Sequence, residues 1–387
     1  MSKPIRTTLI ILLNTVVILL VFELLARAIL WRTDLNEKPA VQQGFGFSAG
    51  GSGDLLPNLD VAERLLPAHP YYLKTNSVGL RNTDELNDDP NVFRVLAVGD
   101  SFMYGMYVHN QETFPARLEE TLNQWLETSV QVLNAGVPGY TIADELDYLR
   151  DKGLKLQPDL VILGFYTNDI FDFLPEMRQY FARSVMLNAA TIPPTEISPA
   201  QTFLQNNIAL YNLYRKLRGQ VGQARLEAEI NRVTPTVPGL EQVYQKLTFL
   251  TPDAPEYQDE WQTYEKTLRE TLALLAEQNI PVVLVAWPDL SQMPLEGGMP
   301  DAPQQMLARV TGDTETPFLN LLPVYRDTGD ITNLYLMHYN PNAQVNLDAP
   351  DAAVQIYSGD GHPSSYGHLV AARAMADLLA ENGLMPP

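Results

Sequence analysis

Short apolar runs that alternate with amphipathic segments constrain this fold more than any other feature of the sequence. Five such runs stand at Phe93–Val98, Val130–Leu133, Leu160–Phe165, Pro281–Trp287 and Phe318–Leu322. Helical periodicity is found between and after them, at about 113–127, 142–156, 257–279 and 364–382. Strands that are apolar throughout are buried on both faces, which is typical of a parallel sheet covered by helices on each side. The sequence therefore predicts a three-layer α/β/α fold whose ligands bind at the carboxyl ends of the strands.

An apolar stretch from Thr7 to Trp31 is long enough, at about 25 residues, to cross a hydrocarbon core of about 30 Å. Lys3 and Arg6 precede it, and by the positive-inside tendency they keep the N-terminus in the cytoplasm and send the rest across. Two interpretations are open. The stretch is either an uncleaved signal anchor or a signal peptide cut near Ala26-Arg27-Ala28, which would release a secreted protein.

Two charges interrupt the outer part of this stretch. Glu23 and Arg27 lie one helical turn apart, so they can pair and reach toward the lipid headgroups. Apolar residues resume at 29–31, which favours the anchor over the cleaved peptide. Both interpretations place the remaining chain outside the cytoplasm, and the membrane is an expected partner through this helix.

The composition of the chain excludes several classes of function. The chain carries 26 Lys+Arg against 46 Asp+Glu, a net charge of −20, so phosphate backbones would repel it and no nucleic acid is an expected partner. Because cysteine is absent, the sequence excludes disulfides, thiolate metal sites and cysteine nucleophiles. It has no phosphate-binding glycine motif, and its five histidines lack metal-ligand spacing, so neither cofactor nor metal is expected.

The chain is predicted to have three parts. Residues 1–32 form the cytoplasmic tip and the transmembrane anchor, and residues 33–68, rich in Gly, Asn and Gln, form a flexible linker. Residues 69–387 form the α/β domain. Within it, about 170–280 has fragments of helical periodicity but no motif, and we expect a helical insertion over the active-site face that could act as a lid.

Four polar motifs stand where an open α/β sheet would build its site. They are Gly99-Asp100-Ser101-Phe102-Met103-Tyr104-Gly105, Asn134-Ala135-Gly136-Val137-Pro138-Gly139-Tyr140, Thr167-Asn168-Asp169 and, before the last helix, Gly359-Asp360-Gly361-His362-Pro363. A serine at the mouth of the sheet is a candidate nucleophile, since the adjacent helix N-terminus favours its alkoxide. Taken alone, a serine at a strand-to-helix turn is most often a helix N-cap.

In this order the four motifs resemble those of the SGNH hydrolases, also called GDSL-type lipases and esterases. The resemblance covers most of residues 70–385 and includes Asn76-Ser77-Val78-Gly79-Leu80-Arg81 before the first strand. It implies the SGNH hydrolase fold, with a parallel flavodoxin-like sheet of five strands. It also implies a serine mechanism without a cofactor, in which an acyl-enzyme forms and is then hydrolysed.

The resemblance assigns a role to each residue of the site. Ser101 would be the nucleophile, His362 the general base, and Asp360 the acid that orients the imidazole. The oxyanion hole would combine the backbone N–H groups of Ser101 and Gly136 with the side chain of Asn168. Loss of one such donor costs about 100- to 1000-fold in rate.

Two features depart from the family pattern. The last motif is usually Asp-x-x-His, but Asp360 precedes His362 by only two residues. The acid is therefore Asp360 in a tighter turn, a neighbour such as Asp351, or absent. In the third motif, usually Gly-x-Asn-Asp, Tyr166 replaces the glycine while Asn168 is retained.

These observations predict an ester hydrolase that acts outside the cytoplasm on an acyl ester substrate of a glycan or a lipid. Short acyl esters, such as O-acetyl groups of envelope glycans, fit the predicted location better than stored lipids. Two alternatives are open. One is a polysaccharide O-acyltransferase that uses the same residues to pass the acyl group to a sugar hydroxyl, and the other is a non-catalytic carbohydrate-binding module whose triad has decayed.

Overall fold

The computed structural model describes most of the predicted domain and part of the N-terminal region. The described residues are 3–32, 45–46, 54–63, 71–171, 203–204, 207–214, 217, 258–293, 301–336, 338–339, 357–358 and 361–386. Their contacts divide the chain into two compact units. The smaller unit joins Met1–Gln43 with Arg183–Thr236, and the larger joins Gly44–Ala182 with Val237–Pro387.

The secondary structure follows the predicted alternation. The strands are β1 (Phe45–Gly46), β2 (Asp54–Leu55), β3 (Asp60–Glu63), β4 (Tyr71–Lys74), β5 (Phe93–Gly99), β6 (Val130–Gly136), β7 (Leu160–Phe165), β8 (Val282–Ala286), β9 (Phe318–Asn320), β10 (His338–Tyr339) and β11 (Tyr357–Ser358). The helices are α1 (Lys3–Arg32), α2 (Ser101–Tyr104), α3 (Phe114–Trp125), α4 (Ile142–Asp151), α5 (Asn168–Phe171), α6 (Gln258–Glu277), α7 (Ala302–Asp313), α8 (Leu321–Asp327), α9 (Ile331–Leu334) and α10 (Ser365–Glu381).

Five of these strands form the central parallel sheet, in the spatial order β6-β5-β7-β8-β9. Counted along the chain this is the order 2-1-3-4-5 of flavodoxin-like sheets, so the predicted sheet is confirmed. Every residue of β6 and β7 is buried. The pairing of β5 with β6 runs to Gly99 opposite Gly136, which brings the two polar motifs that follow these strands to the same edge of the sheet.

Alternate residues of each strand face opposite helical layers. On β5, Val95 and Ala97 pack with the buried faces of α3, α8 and α10, whereas Leu96 and Val98 pack with those of α4, α6 and α7. The three-layer prediction is therefore confirmed. Each fully buried aliphatic side chain contributes about 1.5–3 kcal/mol relative to an exposed one, so these two layers supply most of the stability of the domain.

Part of the segment predicted to be a flexible linker belongs to the folded domain. Strand β3 pairs antiparallel with β4, and β2 pairs with β1. Leu55 is buried in the core, and the Asp54 carboxylate lies 2.6 Å from Lys152 Nζ. The prediction of a linker over 33–68 is thus wrong for 54–63. The prediction was made from composition, and the two short strands that follow the glycine-rich stretch, β2 and β3, find their partners only in three dimensions. The other residues of that linker lie outside the described ones, except for 45–46.

The predicted insertion at about 170–280 lies mostly outside the described residues, and its last part, α6, belongs to the regular fold. Helix α6 covers the sheet as one of the regular layers, and the chain that separates into the smaller unit is Arg183–Thr236. Within that stretch the structure describes 203–204, 207–214 and 217, which we call the 203–217 segment. Its described contacts are with α1, whose Ile5–Ile29 is long and apolar enough to cross a membrane, with a mean hydropathy of 2.8.

Candidate active site

Ser101 stands at the carboxyl end of β5, as the first residue of the short helix α2. Asp100 caps this helix, because its carboxylate accepts the N–H of Phe102 at 2.8 Å. The helix ends after one turn at Gly105, whose φ of +83° is a left-handed conformation that suits glycine. Ser101 is therefore held at a helix N-terminus, where the N–H groups have no partner within the helix and favour negative charge.

A close approach between α2 and β6 holds this turn in place. A Cβ at Gly136 would lie 2.2 Å from the backbone nitrogen of Tyr104, closer than any real contact. Only glycine lets the helix that carries Ser101 lie against the end of the strand. Gly136 is thus required by packing.

Arg81 fixes the chain that follows α2. Its guanidinium is buried and donates to the carbonyls of Tyr104 at 2.8 Å, Gly105 at 2.6 Å and Val108 at 2.6 Å. It also lies over the Tyr104 ring, with Cζ 4.2 Å from the ring centroid. This clamp gives a physical reason for the Asn76–Arg81 motif, since three buried carbonyls need a donor with several N–H groups.

His362 lies next to Ser101, although 261 residues separate them along the chain. Its Nε2 is 2.8 Å from Ser101 Oγ, which is hydrogen-bond distance. The backbone of its loop is held on both sides, because Leu336 N–H donates to the His362 carbonyl and Tyr335 forms an antiparallel bridge with Pro363. The structure thus brings together the predicted nucleophile and the predicted base. Asp360 and Asp351 lie outside the described residues.

Aromatic rings surround this pair. Phe102 lies 4.9 Å from the His362 ring, and Tyr107 meets the same ring edge-on at 5.3 Å. On its other side Phe102 stacks on Tyr166 at 3.8 Å, and the Tyr166 hydroxyl donates to Asp289 at 2.7 Å. The sequence motifs missed Tyr107 and Asp289. The position of Asp289, just past the end of β8, is the signal that could have revealed it.

The structure treats the three predicted oxyanion donors differently. The Ser101 N–H lies in the first turn of α2, where it has no acceptor among the described residues. The Gly136 N–H donates to Asn134 Oδ1 at 3.1 Å, so in this structure it is already engaged. The next turn holds Gly139 at φ +83°, and the N–H of this residue has no acceptor in the described part of the chain. Asn168 begins α5, and its side chain lies outside the described ones.

Buried carboxyl groups lie near Asp100, the residue that precedes Ser101. Glu145 on α4 is fully buried, and burial, followed by the charges of Asp100 and Asp144, raises its pKa well above the usual range. Burial also raises the pKa of Tyr264, and interactions with Asp169, Glu145 and Asp100 raise it further. The protonated, uncharged form of Glu145 is therefore favoured.

His368, the second histidine near the site, is neutral as well. It is fully buried, and burial lowers its pKa to about 3, with nearby Arg81 and His362 adding to the effect. It therefore serves packing, as a histidine inside a buried helix face would. In the described part of the chain no three His, Asp or Glu side chains are grouped so that they could hold a metal ion.

Comparison with known proteins identifies one family model, described as the GDSL-like lipase/acylhydrolase family, which matches residues 97–370. No curated protein matches the chain. Distant matches among solved structures include a member of the lipolytic protein G-D-S-L family from Veillonella parvula, at 11% identity and a TM-score of 0.39, covering 74% of this chain and 98% of that one. An acetylxylan esterase from Geobacillus stearothermophilus matches at 15% identity and 0.38, covering 74% and 93%. An α/β hydrolase from the metagenome of Lake Arreo matches at 16% and 0.39, covering 76% and 96%.

Proposed function

This chain belongs to the GDSL-like lipase/acylhydrolase family and is a carboxylic ester hydrolase, and we propose that Ser101 and His362 carry out its reaction through an acyl-enzyme. The observation on which the proposal depends most is the distance of 2.8 Å between Ser101 Oγ and His362 Nε2. A base at hydrogen-bond distance is what a serine hydroxyl needs in order to lose its proton as it attacks.

The reaction follows from this pair. His362 Nε2 takes the Ser101 proton while Oγ attacks the ester carbonyl, and the resulting imidazolium then protonates the departing alkoxide. A water molecule next gives a proton to His362 and attacks the acyl carbon, which releases the acid and restores Ser101. Asp360 is proposed to stabilise the imidazolium from the second ring nitrogen, with Asp351 as the alternative.

The oxyanion that forms during attack needs N–H donors. We assign this role to the backbone N–H of Ser101 at the start of α2, to that of Gly139 in the turn after β6, and to the Asn168 side chain at the start of α5. These three positions follow three adjacent strands of the sheet, β5, β6 and β7. Gly139 replaces Gly136 in the set because the N–H of Gly136 is already bonded within its own strand end.

The substrate is proposed to be a short acyl ester, such as an O-acetyl group of a glycan, met outside the cytoplasm. The rings of Phe102 and Tyr107 pack directly on His362, and Tyr166 stands where the family has glycine, which supports a small acyl group. The apolar α1, whose first turn carries Lys3 and Arg6, supports a single-pass anchor with the enzyme on the outer side.

The test uses the full chain in detergent micelles, assayed for hydrolysis of a chromogenic acetyl ester and for labelling by a fluorophosphonate. Ser101→Ala should abolish both signals, because it removes the only atom that can carry the acyl group. Ser129→Ala, at an exposed loop serine, is the matched control and should leave both unchanged.

Each other outcome of these two assays favours a different function or a different nucleophile. Retained turnover in Ser101→Ala would refute the assignment of the nucleophile. Labelling without hydrolysis, together with transfer of acetyl to an added oligosaccharide, would favour the O-acyltransferase. A folded wild-type chain that is neither labelled nor active would favour the binding module.

A further inference from the structure

The 203–217 segment is tied to α1 by a charged pair that stands inside an otherwise apolar helix. Glu23 accepts the N–H of Ala209 at Oε1 and the N–H of Leu210 at Oε2, both at 2.9 Å. Arg27 pairs with Glu23 at 2.8 Å and donates to the Asn207 carbonyl at 3.1 Å. One carboxylate and one guanidinium thus satisfy backbone groups that lie 180 to 187 residues further along the chain.

The contacts of Glu23 are made with the first turn of a helix. Residues 209–214 are helical, and Ala209 and Leu210 stand in its first turn, where the N–H groups have no partner within the helix. A carboxylate at this position satisfies them and favours the positive end of the helix. The Glu23 side chain is also largely covered, with 19% of it exposed, whereas Arg27 remains 58% exposed. The carboxylate is therefore held by the segment, and the guanidinium faces outward.

The position of Glu23 along α1 fixes where this contact lies. A hydrocarbon core of about 30 Å takes about 20 helical residues. Counted from Thr7, just after the two N-terminal cations, the core ends near Ala26. Glu23 thus lies about one turn inside the outer boundary, where an unpaired carboxylate is costly and a paired one marks a functional contact.

The segment also carries apolar surface that water would not favour. Outside α1, the described residues expose six large hydrophobic side chains, Tyr72, Trp125, Phe203, Tyr214, Leu217 and Tyr366. Three of the six belong to this one short segment, and α1 exposes Leu24, Leu25 and Ile29 on either side of Arg27. Apolar patches of this kind mark binding surfaces, and tyrosine is enriched at the level of lipid headgroups.

The sequence next to the segment is basic. Residues 215–218 read Arg-Lys-Leu-Arg, three positive charges in a chain whose net charge is −20. Cations that stand in sequence beside tyrosine and leucine favour attraction to the phosphate groups of a bilayer.

We propose that the 203–217 segment is a lipid-binding element, docked by Glu23 and Arg27 on the outer end of α1 and seated at the outer surface of the phospholipid bilayer. The inference rests on the proposed membrane anchoring. It also requires that α1 be retained, because cleavage near Ala26-Arg27-Ala28 would remove Glu23 and leave the first turn of the segment without its acceptor.

The absence of native cysteine makes single-site labelling a direct test. Full-length variants Tyr214→Cys and Leu217→Cys carry an environment-sensitive fluorophore in vesicles of phosphatidylcholine and phosphatidylglycerol. Nitroxide-labelled lipids and aqueous iodide are the two quenchers. Trp125→Cys, an exposed aromatic site of the larger unit, is the matched control, and Leu12→Cys reports on the anchor itself.

We expect lipid nitroxides to quench labels at 214 and 217 at least several-fold more than the label at 125, and iodide to do the reverse. In a Glu23→Ala, Arg27→Ala background the label at 214 should become accessible to iodide while the label at 12 stays quenched by lipid. Equal quenching at 214, 217 and 125 in the wild-type background, with the label at 12 in lipid, would overturn the docking proposal alone. A label at 12 that iodide reaches would overturn the anchoring and the docking with it.

Discussion

Substitution of Gly136 by alanine separates two roles that this residue could have in an ester hydrolase. Alanine keeps the backbone N–H, so an enzyme that needs Gly136 only as an oxyanion donor would tolerate the change. The structure predicts the opposite. The added Cβ would lie 2.2 Å from the Tyr104 nitrogen, 2.6 Å from the Tyr104 Cα and 2.7 Å from the Met103 carbonyl carbon, and all three are backbone atoms of α2.

The size of the effect follows from these distances. Ordinary contact with a Cβ begins at 3.4 Å, so α2 has to move away from β6 by about 1 Å. Overpacking of this kind typically costs about 1–3 kcal/mol of stability. Because Ser101 is the first residue of α2, the same movement displaces the nucleophile from His362, and about 1 Å of misplacement can cost on the order of 100-fold in rate.

The assay compares Gly136→Ala with Gly312→Ala by urea unfolding and by kcat/KM on an acetyl ester. Gly312 lies in α7 with nothing within 4 Å of an added Cβ, so alanine there should stabilise the fold by roughly 0.5–1 kcal/mol and leave activity unchanged. A Gly136→Ala enzyme as stable and as active as the wild type would refute the packing argument. It would also show that α2 and β6 are further apart than the structure has them.

Three further predictions rest on other contacts of the site. Burial, with the charges of Asp100 and Asp144, raises the pKa of Glu145, so the folded state holds a proton that the unfolded state loses above its ordinary pKa. Wild-type stability should therefore fall by up to about 1.4 kcal/mol per pH unit above the ordinary glutamate pKa until the raised pKa is passed. Glu145→Gln should lack this pH dependence, and the exposed-site control Asp147→Asn should keep it. The free energy of unfolding in urea is measured at pH 5 and pH 8 for each variant. The same difference between the two pH values in Glu145→Gln and in the wild type would contradict a raised pKa of Glu145. Tyr166→Phe keeps the ring on Phe102 but removes the donor to buried Asp289, and should cost about 1–3 kcal/mol by thermal unfolding. A loss below about 0.5 kcal/mol would show that this hydrogen bond matters little. His362→Ala should lower kcat by at least about 1000-fold and slow fluorophosphonate labelling of Ser101, whereas His109→Gln should not. Normal labelling in His362→Ala would refute its role as the base.

Local pattern was enough to predict the regular part of the domain. The apolar run at Phe93–Val98 became β5, and the periodic segment at 364–382 became α10, each to within one or two residues. These predictions succeed because burial on both faces of a parallel strand, or on one face of a helix, is written into consecutive residues. The order of the motifs after the strands likewise placed Ser101 at the edge of the sheet.

Local pattern failed where a partner distant in sequence decides the outcome. Residues 54–63 look like the end of a linker until β3 meets β4, and the composition of that stretch contains no trace of the pairing. Gly136 resembles a free turn donor until the Asn134 side chain is seen to accept its N–H. The sequence shows Glu23 only as a partner for Arg27 in an apolar helix, and the folded chain shows that it also holds the first turn of residues 209–214.

The sequence by itself therefore determined the class of fold, and it singled out Ser101 and His362 as candidate catalytic residues at one edge of the sheet. Only the tertiary structure decided that these two side chains meet at 2.8 Å, that Gly136 serves packing, and that the 203–217 segment docks on α1. The physical reason is the separation along the chain of the residues that interact. Secondary structure and burial depend on neighbours within a few residues, whereas a hydrogen bond between residues that lie 180 or 261 positions apart depends on the packing of every element between them.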